Sequence, residues 1–596
     1  MDNQNVIDNQ KRGNLLNLSL NITEEERNKS IELGVGFDPE SRLWDVIVLY
    51  SGDILQYVSE TISIVPLLGN YAIITLSEEE LLKLSNLPEI EYIEKPKRLF
   101  FSINNGKAAS CINQLQTGGV EATGRISLFG NGVLIGIVDS GIDYRHPDFR
   151  NEDGTTRIVE LWDQTIRPER GFPPPAGYRI GAEFTSEQIN EALKQPTRQE
   201  GDDLVPSIDI SGHGTSVAGI AAGNGRASDG LYRGVAPMSS LIVVKLGTPL
   251  PNSFPRTTEL MQAVDYIVKQ SIELGMPVAI NLSFGNTYGS HDGSSLLETY
   301  LDNAASLGKT SIIVGTGNEG AAAGHTSGIL QNGLPLEVEL AVSVFETTIS
   351  VQIWKYFNDI FQIEIIGPSG ERVGPIRQEM GTQRYSINET ELLLYYGEPS
   401  PYSIAQEIFI DFLPKNSYIN NGIWTFRFIP ERIIQGEFHM WLPSASILNY
   451  GTRFLFPTPD ITLTIPSTAA KVISVGAYDS SLISLGDFSG RGYTRVTNLV
   501  KPDLVAPGVN ITTTAVGGRY TSATGTSFAT PFVTGSSALL MEYGIVLGND
   551  PFLYGEKIKA YLITGARPLQ FENEYPNPRV GYGALCLWNS FQLLTL

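Results

Sequence analysis

Hydrophobic and polar positions alternate in three distinct ways along the chain. Between residues 44 and 100, the short apolar runs WDVIVLY, TISIVPL, YAIITL and EIEYIEK are separated by turn residues. One helical stretch, SEEELLKL, opens with Ser77 and Glu80 spaced as a capping box. This predicts a small α+β unit over residues 41–100, preceded by a polar extension over 1–40 with a single helix from about Thr23 to Leu33. Over 101–327 and 464–596, β-branched apolar runs such as VLIGIVD and SIIVG end in glycine-containing loops and alternate with helical segments. That is the pattern of buried parallel strands in an α/β fold. Residues 328–463 switch to a period of two, as in FQIEII at 361–366 and IWTFRF at 423–428, broken by Gly, Pro and Asn turns. They predict an inserted antiparallel β-sandwich of jelly-roll type.

Four of these segments carry candidate chemistry. In GTSFATPFVTG, 525–535, Gly525 allows a tight turn, Ser527 falls in the first turn of a helix, and Pro531 fits only near a helix start. Alone, Gly-Thr-Ser before a small-residue helix is ordinary turn chemistry. In VLIGIVDSGID, 133–143, an apolar strand stops at Asp139, at the carboxyl edge where an open α/β sheet places its crevice. Asp143 and Asp148 read as turn residues. In GHGTSVAGIAAG, 212–223, His213 precedes a helix of small residues suited to close packing, whereas His146, His291, His325 and His439 read as solvated or hydrogen-bonded side chains. In SIIVGTGNEG, 311–320, a glycine loop carries Asn318. A serine hydroxyl needs a base to take its proton and an acid to orient that base. The amide of Asn318 and the backbone N–H of Ser527 would together offer two donors to an oxyanion.

The motifs DSGID, GHGTSVAG, GTGNEG and GTSFATP stand with GVAP at 234–237, AINLSFG at 279–285, KVISVGAYD at 471–479, LVAPGVNI at 504–511 and GYGALCLWNS near the C-terminus. On these residues the chain resembles the subtilisin-type serine proteases. The resemblance implies a parallel-sheet catalytic domain in which Asp139 orients, His213 is general acid and base, Ser527 is the nucleophile and Asn318 binds the oxyanion. It implies an S1 pocket with Ser283, Phe284 and Gly285 on one wall and Gly315, Thr316 and Gly317 on the other. Lys245, Leu246 and Gly247 would form the second strand flanking an extended substrate, although the TPLPNSFPRT that follows departs from the simpler glycine-rich form. Residues 41–100 resemble a subtilase prodomain, a folding chaperone and inhibitor whose tail lies in the active site like a product, with self-cleavage near Phe100.

The N-terminus, MDNQNVIDNQKRGNLLNL, has no apolar core of a signal peptide, and no run approaches the roughly 18 apolar residues that span a bilayer. The expectation is cytoplasmic synthesis without export or membrane insertion. Together with the prodomain and the insertion between Asn318 and Ser527, this narrows the resemblance to the Csp germination proteases of anaerobic spore formers. That family implies a prodomain cleaved but retained noncovalently, a jelly roll that rigidifies the enzyme, spore association, and a proenzyme substrate, the zymogen of a spore-cortex hydrolase. A general intracellular subtilase shares the same motifs. A pseudoprotease acting as a binding protein is opposed by the intact Asp139, His213, Asn318 and Ser527.

Composition alters this picture little. The 596 residues suffice for roughly three to four domains, and 42% are hydrophobic. A net charge of -22 disfavours nucleic acid and anionic membranes as partners. Cys111 and Cys586 are the two cysteines; their distance in sequence reads as two free thiols with no need of an oxidising compartment. The acidic loops 151–157 and 200–203 read as solvated turns rather than calcium sites, and no cofactor is expected.

Overall fold

The computed structural model describes residues 10–30, 32–39, 41–97, 100–101, 109–116, 127–168, 171–248 and 254–595. They form two compact units. One comprises Met1–Arg98, Asn286–Leu296 and Glu319–Thr462; the other comprises Leu99–Gly285, Leu297–Asn318 and Leu463–Leu596.

The second unit is built on a nine-stranded sheet. Its central strands, Ile473–Asp479, Thr310–Gly315, Val278–Leu282, Leu134–Asp139, Ser240–Lys245 and Ile158–Asp163, are parallel neighbours in that order. Every residue of Leu134–Asp139, Val278–Leu282 and Thr310–Gly315 is buried, as continuous apolar runs require when both faces of a sheet are covered. The helix Thr526–Met541 packs on this sheet and against the helix His213–Ala222, and all of its residues are buried. Gly535 permits the approach to that helix, because a Cβ there would stand 2.9 Å from Ala221 O.

Cys111 and Cys586 are not free thiols; they form a disulfide with Cα atoms 4.8 Å apart. The segments are drawn together by the hydrogen bonds Leu587 N–H to Ser110 O, 3.0 Å, and Arg567 Nη2 to Ala109 O, 2.9 Å. A separation of 475 residues hides such a pairing from a sequence reading, and the inference that no oxidising surroundings are needed falls with it.

In the first unit, the N-terminal extension folds as two short helices, Asn14–Leu20 and Glu24–Lys29, instead of one over 23–33. Thr23 and Glu26 form a capping box that restarts the helix, and Ser30 leaves it in an extended conformation. Leu15, Leu18, Ile22 and Leu33 pack with Leu393, Tyr395, Phe409 and Leu413. A five-stranded antiparallel sheet follows, with the path Phe37–Asp38, Leu43–Tyr50, Tyr71–Ser77, Ser63–Pro66 and with Ile90–Glu94 beside Leu43–Tyr50. The expected Ser77–Glu80 capping box starts the helix Glu78–Leu84. Two further antiparallel sheets, of six strands and five, share one apolar cluster. Within it the period-two segments hold: Phe361, Ile363 and Ile365 point inward from one strand, and Trp424, Phe426 and Phe428 from its neighbour.

Three of the five histidines also gather in this unit. His291 stacks on Trp441 at 4.2 Å between centroids, and His325 stacks on the same ring at 4.7 Å. His325 Nε2 lies 3.1 Å from His439 Nδ1. Burial, and then the neighbouring His439, hold His325 well below the usual imidazole pKa. None of the three is solvated, and neither is His146, whose Nε2 lies 3.0 Å from Arg519 O.

Candidate active site

Asp139 ends the strand Leu134–Asp139, and His213 begins the helix His213–Ala222, preceded by Gly212 in the left-handed region at φ 75°. A Cβ at Gly214 would fall 2.1 Å from Gly141 O, so only glycine lets the start of this helix come so close to the loop after Asp139. The result is a hydrogen bond of 2.6 Å between His213 Nδ1 and Asp139 Oδ1, both side chains fully buried. Ser140 N–H donates to the same carboxylate oxygen at 2.7 Å. The imidazole also meets the ring of Phe528 edge-on, with centroids 5.2 Å apart.

Ser527 is the second residue of the helix Thr526–Met541, where a backbone N–H has no partner within the helix. Its hydroxyl donates to Ser283 O at 2.9 Å, and the Ser283 hydroxyl donates to Ser527 O, also at 2.9 Å. Pro531 explains the second bond. It lacks the N–H that would otherwise reach the carbonyl four residues back, which is that of Ser527.

Asn318 follows the strand Thr310–Gly315, and its Oδ1 accepts from Thr526 N–H at 3.1 Å and from Thr526 Oγ1 at 3.2 Å. These donors fix the orientation of the amide, so Nδ2 is directed away from Thr526. Gly317, at φ 82°, donates to Thr526 Oγ1 at 3.1 Å, and a Cβ there would lie 2.3 Å from Thr464 Cγ2. A Cβ on Gly315 would lie 2.9 Å from Thr530 Oγ1, and Thr316 is buried.

Phe284–Gly285 forms a short antiparallel pair with Phe100–Phe101, with Phe284 opposite Phe101 and Gly285 opposite Phe100. Residues 98–99 and 102–108, the remainder of the expected cleavage region, lie outside the described residues. Lys245 is opposite Asp139 in the sheet, and its ammonium reaches Ile208 O at 3.0 Å and Asp163 Oδ2 at 3.2 Å. Leu246 N–H donates to Asp139 O at 2.7 Å and Gly247 N–H to Gln164 Oε1 at 3.3 Å. Residues 249–253 of the TPLPNSFPRT loop lie outside the described residues.

The structure thus brings Asp139 to His213, Ser283 to Ser527, and Asn318 to the N-terminus of the Ser527 helix. Sequence reasoning missed the supporting residues Ser140, Asp209, Thr215 and Thr526. For Asp209 a signal existed: Gly212 has no side chain with which to cap the helix, so an acceptor had to come from nearby. No group of three or more His, Cys, Asp or Glu side chains is set to hold a metal among the described residues. A hydroxyl at a helix N-terminus, an imidazole held by a carboxylate and an amide whose NH₂ faces away from its anchoring contact are the kinds of group that acyl transfer uses.

The subtilase family profile matches residues 130–354 and 456–583, and the Csp protease B prodomain profile matches residues 10–97. The first match lapses over residues 355–455, within the two antiparallel sheets of the first unit. The structure of the Clostridium perfringens CspB protease is similar at 37% identity and a TM-score of 0.74, covering 82% of this chain and 96% of that one. The PII-type proteinase of Lactococcus lactis subsp. cremoris is 26% identical over 73% of this chain, which spans only 24% of that protein. The minor extracellular protease Vpr of Bacillus subtilis (strain 168) is 24% identical over 78% of this chain and 52% of its own length.

Proposed function

The chain belongs to the subtilase family of serine endopeptidases, and we propose that it cleaves peptide bonds through Asp139, His213 and Ser527. The observation that carries this reading is the buried 2.6 Å hydrogen bond between His213 Nδ1 and Asp139 Oδ1, which orients the imidazole as the base of such a triad requires. In the resting arrangement the Ser527 hydroxyl donates its proton in a hydrogen bond to Ser283 O. Rotation of the Ser527 side chain delivers it to His213 Nε2 as the oxygen attacks a substrate carbonyl. Asp139 stabilises the imidazolium that forms. Asn318 Nδ2 and the Ser527 N–H take the oxyanion. His213 then protonates the departing amine, and water resolves the acyl-enzyme by the same steps in reverse order of proton transfer.

The pairing of Phe100–Phe101 with Phe284–Gly285 supports self-cleavage near Phe100, because an extended segment beside Phe284–Gly285 occupies the place of a substrate strand. The other wall is Gly315, Thr316 and Gly317, with Lys245, Leu246 and Gly247 as the second flanking strand. The two antiparallel sheets act as a jelly-roll sandwich that stabilises the enzyme. Packing of Leu15, Leu18, Ile22 and Leu33 against Leu393, Tyr395, Phe409 and Leu413 supports a prodomain held noncovalently after cleavage. Its similarity to the Csp protease B prodomain supports limited proteolysis of a proenzyme, the zymogen of a spore-cortex hydrolase during germination, over general protein breakdown. Incubation with that proenzyme and with unfolded casein tests this: one discrete cut in the former is expected, and broad digestion of casein alone overturns it.

A further inference from the structure

We propose that Asp209 is a positioning residue that fixes Asp139 and His213 relative to one another. The proposal rests on the reading of these two as acid and base given above. Asp209 is 2% exposed and lies four residues before His213, in the loop that leads into its helix. Its Oδ1 accepts from Gly212 N–H at 2.9 Å, Ser140 Oγ at 2.8 Å and Ser211 Oγ at 3.3 Å. Its Oδ2 accepts from Thr215 N–H at 2.8 Å and Thr215 Oγ1 at 2.7 Å.

These bonds satisfy the start of the His213 helix completely. His213 N–H goes to Ser211 Oγ at 3.2 Å, Gly214 N–H to Ser140 Oγ at 2.9 Å, and Thr215 N–H to Asp209 itself. Both serines that supply the first two acceptors donate their own protons to Asp209. Ser140 is also the residue after Asp139 and donates its N–H to the Asp139 oxygen that binds His213. One carboxylate therefore holds both the base-bearing helix and the backbone next to the acid. A buried anion at a helix N-terminus is also favoured by the helix dipole.

The chemistry of the position is specific to a carboxylate. Each oxygen receives a backbone N–H, a donor that cannot reverse, so the NH₂ of an asparagine would face a donor in either orientation. Asp209→Asn is therefore expected to displace the helix start and the imidazole with little change in the substrate-binding strands.

The test measures kcat, KM and the pH profile of kcat/KM for Asp209→Asn and Ser140→Ala, each normalised to folded protein by thermal melting, with the self-cleavage rate as a single-turnover readout. Asp209→Asn should lower kcat and self-cleavage on the order of 10²-fold with KM nearly unchanged. Loss of a carboxylate at the start of the helix that carries the imidazole should also move the acid limb of kcat/KM to lower pH, which a loss of folded protein would not do. Ser140→Ala, which removes the bridge and the acceptor of Gly214 N–H but keeps the Asp209 charge, should lower kcat and self-cleavage less far and leave the acid limb in place. If the folded variants keep the wild-type kcat and acid limb, the proposal is overturned. If Asp209→Asn does not fold and Ser140→Ala behaves as wild type, it is overturned equally. Asp139→Asn and Ser527→Ala in the same assay separate the two readings, because their retention of activity would remove the catalytic assignment itself.

Discussion

Ser283 and Ser527 are hydrogen-bonded to each other twice, hydroxyl to carbonyl in both directions, each at 2.9 Å. The pair joins the proposed nucleophile to the wall of the proposed substrate cleft, although 244 residues separate them. Its origin is local: Pro531 cannot satisfy Ser527 O, so Ser283 does. Ser283 Oγ in turn accepts from Asn281 Nδ2 at 2.7 Å.

Ser283→Ala should therefore destabilise the protein by about 1–3 kcal/mol for each buried group left unpaired, namely Ser527 O and Asn281 Nδ2. Chemical denaturation measures this. A midpoint equal to that of wild type would mean that the two groups find other partners.

Asn318→Ala should lower kcat by roughly 10²–10³-fold, about 2.7–4 kcal/mol, with KM little altered; the magnitude is that measured for the oxyanion Asn of subtilisin, a relative. Steady-state kinetics on a peptide substrate decide it. An effect carried mainly by KM would assign Asn318 to binding instead.

How much of this was legible in the sequence follows from the range of the interactions. The period-two segments around 361–366 and 423–428 and the Ser77–Glu80 cap are local, and they appear as read. The four motifs carrying Asp139, His213, Asn318 and Ser527 could be recognised because each needs its own turn or helix start. What joins them could not. Asp209 works through its distance to Ser140, 69 residues away, and Cys111 meets Cys586 only because the C-terminal segment hydrogen-bonds to Ser110. The stack of His291, His325 and His439 on Trp441 likewise depends on strand order, not on any local pattern. The N-terminal helix was misjudged because the Thr23–Glu26 box marks a new start, whereas the Asn14–Leu20 helix has no side-chain cap to announce it.

Asp411 gives the stability a pH dependence. It is fully buried in the strand Ala405–Pro414, and burial pushes its carboxyl up to about 8. The unfolded carboxyl releases its proton near pH ~3.9, so between about pH 4 and pH 8 the native state binds more protons and stability falls as pH rises. Asp411→Asn, neutral at all pH, should be more stable than wild type at pH 7.5 by up to a few kcal/mol and so melt higher, with the advantage gone near pH 4. Identical melting curves at pH 7.5 would contradict this.

The Cys111–Cys586 bridge closes most of the chain into one loop, with a sequence separation of 475. Cys586→Ser, or reduction of the wild type, should cost about 2–4 kcal/mol in chemical denaturation. Two reactive thiols in the native, unreduced protein would show that the bridge does not form.

The central claim is that Ser527 is a working nucleophile that cuts its own chain beside Ser283–Gly285. Intact mass measurement of purified wild type and Ser527→Ala tests it most directly. Wild type should yield a fragment of about 100 residues ending near Phe100 and its larger complement, while Ser527→Ala should remain a single chain of 65.1 kDa. Cleavage of both proteins at the same bond, or of neither, would contradict the account.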